Sequence, residues 1–206
     1  MSAEQGARRW RALGGVLGPA AFIAAWSVLG ATQDGYSPIE DPISRLAADG
    51  APTRGAMTAG LLAFSAGVGH YADELHRSIG KPAAAALATT ALATVGVAAT
   101  PLDSALGGVP HAACAGLSYV SLAATPILGG RALLRAGLPT AGVLSIAVGV
   151  GSAAALAGSV LVPRVSGLLQ RVGLTVGHTW IMASAVGLRR QEGCGPQIQV
   201  RPIHES

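Results

Sequence analysis

The sequence predicts an all-α, polytopic membrane protein with six transmembrane helices and a short extra helix in the first outer loop. Three observations predict it. Six apolar stretches, none interrupted by Asp, Glu or Lys, fill most of the 206 residues. Each is bounded by Pro, Gly or charged residues, which confines the ionisable groups to helix ends, as lipid demands. Half the residues are hydrophobic and only 12% are charged, against about 25% charged in a typical soluble domain. A soluble chain of this size would need a more charged surface. One membrane domain, 13–188, therefore sits between a cytoplasmic N-terminus, 1–12, and a disordered cytoplasmic tail, 189–206. The 29 Gly and the Ala-rich stretches suit close helix packing in lipid.

The first span, 13–31, follows the basic Arg8-Arg9-Trp10-Arg11 start. A charged start and an apolar run also describe a signal peptide. This run is long enough to cross a bilayer core at about 1.5 Å per residue, so an uncleaved helix is expected. The longest polar loop, 32–55, opens on the turn-rich Asp34-Gly35-Tyr36-Ser37-Pro38. In Glu40-Asp41-Pro42-Ile43-Ser44-Arg45-Leu46, Pro42 begins a short helix with acidic residues at its N-terminal end, and Gly50 is its left-handed stop. Thr53 is the expected cap of the second span, 55–72. The third, 82–100, begins and ends at prolines. A tight polar turn, 102–110, leads to the fourth, 111–130. The fifth, 139–162, repeats Gly142, Ser145, Gly149, Ser152 and Ser159 on one face, a packing stripe for a close helix neighbour. The segment 163–171 leads to the sixth, 172–188.

Positive charge sets the expected orientation. With the N-terminus inside, ten of the 14 Lys and Arg residues fall on the cytoplasmic side, and Arg45, Arg54, Arg164 and Arg171 fall outside. Both termini are then cytoplasmic and the chain is a multi-pass protein of the cell membrane. The net charge of +4 is this topology signal and does not point to nucleic acid, because the basic residues flank apolar segments and form no block. Cys114 and Cys194 lie far apart, with no metal-binding spacing, and no cofactor is expected.

Polar groups converge on the outer side: the Ser44–Arg45 segment, Asp103, His111, and Arg171 with His178. Cys114, Ser118 and Thr125 follow His111 at helical spacing. Arg171, Thr175 and His178 share a face, with His178 about 10 Å down the helix and turned to the bundle. Ser44, Arg45, Asp103, His111, Arg171 and His178 are the candidate pocket. Singly, each also has a plain structural reading: Asp103 a turn, His111 an interfacial cap, Arg171 a lipid-phosphate anchor. His178 is hardest to dismiss, because a neutral imidazole inside a bundle still needs partners.

Taken together, Tyr36-Ser37-Pro38, Pro42-Ile43-Ser44-Arg45-Leu46, Asp103, His111, Gly167-Leu168-Leu169-Gln170-Arg171 and Trp180 resemble a prokaryotic six-helix membrane family known as domain of unknown function 998. The resemblance spans residues 13–188. It implies six spans and brings no established reaction.

Two readings of function follow. In the first, a non-enzymatic protein binds a lipid or small amphiphile in an outward pocket with apolar walls, Arg171 and Arg164 holding an anionic head group. The alternative is a metal-dependent intramembrane hydrolase acting on a lipid, with Ser44, Asp103, His111 and His178 as the right residue types for zinc and an activated water. Alkaline-ceramidase-like hydrolases carry a His-x-x-x-His pair on their last helix, where this chain has only His178, with Met182 four residues on. A Ser44-His111-Asp103 triad has no Gly-x-Ser-x-Gly turn behind it.

Overall fold

The computed structural model describes residues 3–103 and 108–191. Six long helices carry the chain: α1 (Ala3–Thr32), α2 (Arg54–Ser78), α3 (Lys81–Ala99), α4 (Gly108–Arg135), α5 (Pro139–Leu161) and α6 (Ser166–Gln191). Two short 3₁₀ turns, Ile43–Ala47 and Pro163–Val165, complete the elements. No strand occurs among the described residues.

Each helix packs on the next in sequence, and α6 returns to α1, closing a ring. A lighter contact between α4 and α6 crosses its interior. The links α1–α2, α3–α4 and α5–α6 lie at one end, here the loop end.

Among the described residues, four helical segments are long and apolar enough to cross a membrane: Trp10–Thr32, Lys81–Ala99, Gly108–Arg135 and Pro139–Leu161. The protein is an all-α membrane protein. Apolarity marks four segments rather than six because α2 and α6 carry more polar residues, some exposed, such as His70, Asp73, His76 and Arg77 on α2, and some buried. Glu74 on α2 and Gln170, Arg171 and His178 on α6 are all buried.

Helix limits differ from the sequence reading mainly by extension. α1 begins at Ala3 rather than at residue 13, since Ala, Gln and Arg are good helix formers. α6 begins at Ser166 and continues to Gln191, beyond the expected limit at 188. The rest of the predicted tail, 192–206, lies outside the described residues. Pro126 sits inside α4 and gives no N–H to the Leu122 carbonyl, a loss that a membrane helix tolerates.

Close approach of small residues holds the ring together. A Cβ built on Gly67 would lie 2.6 Å from the Gly14 carbonyl oxygen and 2.8 Å from the Gly18 Cα, so α1 and α2 touch backbone to backbone. The α5 stripe is a packing face: Gly142, Ser145, Gly149, Ser152 and Ser159 are all buried. Gly142 and Gly149 seat against α4. Ser152 donates to the Gly173 carbonyl on α6 at 2.8 Å, and Ser145 accepts from Trp180 Nε1 at 2.8 Å. At the end opposite the loops, Arg8 pairs with buried Glu74 at 2.9 Å and Arg11 with Asp73 at 3.1 Å.

Candidate functional site

The site begins with the loop between α1 and α2. Ser37 N–H donates to the Asp41 carboxylate at 2.8 Å, which closes the turn before Pro42. The expected short helix forms as the 3₁₀ turn Ile43–Ala47 and buries Ile43 and Leu46. Gly50, at φ +81°, supplies the left-handed residue that turns the chain toward α2. Thr53 stands at the N-cap position but does not cap α2 with its side chain. Its hydroxyl donates to the Leu46 carbonyl at 2.8 Å and contacts the Gln33 amide oxygen, tying the loop to itself.

The start of α6 clasps this loop. A Cβ on Gly167 would strike the Asp41 and Pro38 carbonyl oxygens, so only glycine lets the loop backbone come so near. Leu168 N–H donates to the Ile39 carbonyl at 3.0 Å. Gln170 accepts from the Ile43 N–H at 2.7 Å and donates to the Tyr119 hydroxyl. Arg171 donates to the carbonyls of Pro38 at 2.8 Å, Asp41 at 3.1 Å and Gly167 at 2.9 Å, and to the Tyr36 hydroxyl. Its guanidinium lies 5.4 Å from the ring centres of both Trp26 and Tyr36, within cation–π range. Burial pushes the Tyr36 phenol above its ordinary value of 10, and the Arg171 charge only partly offsets this.

Beneath the clasped loop lies a cavity of about 50 Å³, room for a few water molecules. Ser44 lines it from the 3₁₀ turn, His111 from α4 and His178 from α6. Phe22, Phe64 and Leu122 form apolar wall. His178 is 1% exposed, and its Nδ1 is buried without a hydrogen-bond partner. Its ring is held edge-on by Phe22 at 5.6 Å and tilted against Phe64 at 4.6 Å. His111 places Nδ1 2.7 Å from the Thr100 carbonyl. A carbonyl only accepts, so Nδ1 carries the proton, and in the neutral ring Nε2 is left as an acceptor.

The structure thus brings Ser44, His111 and His178 to one cavity. Arg171 stands beside it, with its donors directed to the loop carbonyls and Tyr36. Arg45 is largely exposed and pairs with Asp41 at 3.4 Å. Asp103 is exposed on its turn and does not line the cavity. His111 therefore has a carbonyl at Nδ1 where a triad would place a carboxylate. Among the described residues, no group of three His, Cys, Asp or Glu stands ready to hold a metal. Sequence reasoning missed Thr90 and Thr94 on α3 and Tyr119 on α4, which also line the cavity. The two threonines give a weak signal, an i, i+4 pair in an alanine run. Tyr119 gives none.

The family model described as "Protein of unknown function (DUF998)" matches residues 16–187. No curated protein and no solved structure matches the chain.

Proposed function

The chain belongs to the DUF998 family, and on that premise we propose that it is a six-span cell-membrane protein, with both termini cytoplasmic, that binds a lipid or small amphiphile in the cavity at the loop end. The observation that carries the reading is His178. A ring nitrogen buried without a partner is costly in a protein interior. Here it belongs to a residue lining a cavity with apolar walls and a few polar groups, the usual build of a small-molecule site between helices.

The packing of α2 and α6 supports six spans. α2 runs antiparallel along α1 from Gly60 against Ala25, through Gly67 against Gly14, to Glu74 against Arg8. α6 runs from the loop clasp at Leu168 to Ser184, whose hydroxyl accepts from Tyr71 at 2.9 Å. Both helices therefore cover the same thickness as their apolar neighbours. The excess of basic residues at the ends away from the loops supports an outward loop end. Without a third donor beside His111 and His178, the hydrolase alternative gains no support from the arrangement.

The test is retention. The protein is extracted with its native lipids, without detergent exchange, and bound lipids are identified by mass spectrometry against the bulk membrane. The expected result is one amphiphile enriched in the wild type and lost in His178→Leu. A lipid profile equal to the bulk membrane in both would overturn the reading.

A further inference from the structure

If the cavity is a binding site, as proposed above, the geometry points to a single class of ligand: an uncharged amphiphile whose head group is a hydroxyl, such as a long-chain alcohol, rather than a phospholipid or other anion. Charge, hydrogen-bond inventory and size each lead there.

Charge disfavours an anion. Among the described residues, no Asp, Glu, Lys or Arg lines the cavity. The neighbouring cation, Arg171, is 8% exposed and directs its donors to the carbonyls of Pro38, Asp41 and Gly167 and to Tyr36. A phosphate placed here would be a buried ion without a counter-charge, which proteins avoid at high cost. To recruit Arg171, it would have to undo the clasp that docks the 36–47 loop.

The unpaired hydrogen-bonding groups fit a hydroxyl. Thr90 and Thr94 donate to helix carbonyls at 3.1 and 2.8 Å, and Thr94 also bonds Ser118 at 3.1 Å. Gln170 is occupied at both ends, by Ile43 and Tyr119. The remaining capacity is specific. Tyr119 accepts from Gln170, which leaves its own O–H to donate. The Ser44 hydroxyl both donates and accepts. His111, with Nδ1–H on the Thr100 carbonyl, retains an acceptor at Nε2, and the unpaired His178 Nδ1 is a donor or an acceptor according to its tautomer. A set holding both spare donors and spare acceptors matches a hydroxyl, which gives one hydrogen bond and takes others. A ketone or ester oxygen would satisfy the donors and leave the His111 Nε2 bare.

Size points the same way. About 50 Å³ suits a head of a few heavy atoms, smaller than a sugar or a phosphocholine. Val97 of α3, Pro101 just past that helix and Ala115 of α4 are part of the lining, low side chains across which a slender alkyl tail would lie.

The experiment is competitive photolabelling of the wild-type protein in lipid nanodiscs. The probe is a twelve-carbon alcohol carrying a diazirine in its chain. The competitors are 1-dodecanol and dodecyl phosphate, and labelled peptides are mapped by mass spectrometry. The expected result is labelling within α3 or α4, where the tail lies, that 1-dodecanol suppresses at a concentration about tenfold lower than dodecyl phosphate, a ratio worth about 1.4 kcal/mol. Equal or better suppression by dodecyl phosphate would overturn the hydroxyl class and leave the cavity reading standing. Labelling that never maps to cavity residues and yields to neither competitor would overturn the cavity reading itself. His178→Leu adds an independent arm: labelling should fall while thermal stability holds or rises. Undiminished labelling in that variant would remove His178 from the site.

Discussion

Arg171 supplies three backbone carbonyls and one phenol oxygen from a single planar group, which a lysine cannot reproduce. Arg171→Lys should therefore lower stability nearly as much as Arg171→Ala, by about 2–3 kcal/mol, read as the thermal unfolding midpoint in detergent. A lysine variant with wild-type stability would show that the clasp is not structural. Tyr36 makes the sharper test, through pH. Its phenol titrates above 10 in the folded protein because burial favours the neutral form. A raised pKa contributes stability in full below the unfolded value and loses it as pH rises through the folded one. The wild type should thus lose stability relative to Tyr36→Phe as pH climbs past 10, while below that Tyr36→Phe should be the weaker by about 1 kcal/mol. Parallel pH curves would refute the coupling. Arg171 stands out in the sequence as a charge at the start of an apolar span. Two of its acceptors are loop carbonyls about 130 residues away in the chain, and carbonyls leave no trace in residue types. His178 was legible because imidazole inside an apolar run is costly in any packing.

Between elements, the decisive contacts are made by glycines. Gly67→Ala would put a methyl 2.6 Å from the Gly14 carbonyl and force α1 and α2 apart, at about 1–3 kcal/mol. Gly116 on α4 is the control, since a Cβ there meets nothing within 4 Å. Gly116→Ala should be neutral or stabilise by about 0.5–1 kcal/mol, because alanine loses less backbone freedom in a helix. Comparing the two unfolding midpoints tests packing against propensity; equal effects would deny the close α1–α2 contact. The α5 stripe was readable because five small residues repeat over an otherwise uniform apolar helix. Gly14 and Gly18 have the same four-residue spacing, but two positions at the basic start of α1 make a weaker pattern. Their partner, Gly67, is known only once the helices are paired. The loop helix was legible through Pro42 and Gly50. Its 3₁₀ form depends on Ile43 and Leu46 reaching the core, a tertiary effect that local residues do not encode.

At the scale of the molecule, the proposed six spans rest on ring closure. Apolarity alone admits α1, α3, α4 and α5, and a four-span chain would leave α2 and α6 on the membrane surfaces. Helix packing argues otherwise, since α2 and α6 fill the gaps between α1 and α3 and between α5 and α1. Some of their polar groups, Arg171, His178 and Glu74, are buried in the bundle, while His70, Asp73, His76 and Arg77 of α2 are exposed. The six long helices were readable from the sequence because each stretch was judged by its boundaries as well as its mean apolarity. The neighbour relations that assemble the cavity were not, because short loops fix only adjacent pairs. The two topologies agree on both termini and on the 33–53 loop, so labelling Cys194 does not separate them. They disagree at the α2–α3 and α5–α6 links. With Cys114 and Cys194 replaced by serine and the N-terminus inside, six spans put a Lys81→Cys thiol in the cytoplasm and an Arg164→Cys thiol outside. Four spans reverse both. An impermeant maleimide on intact cells should therefore label the Arg164→Cys protein, and the Lys81→Cys protein only after the cells are opened. The opposite pair of results would move α2 and α6 out of the membrane and take the cavity with them, since Met57, Leu61, Phe64, Leu174 and His178 of its lining come from those two helices.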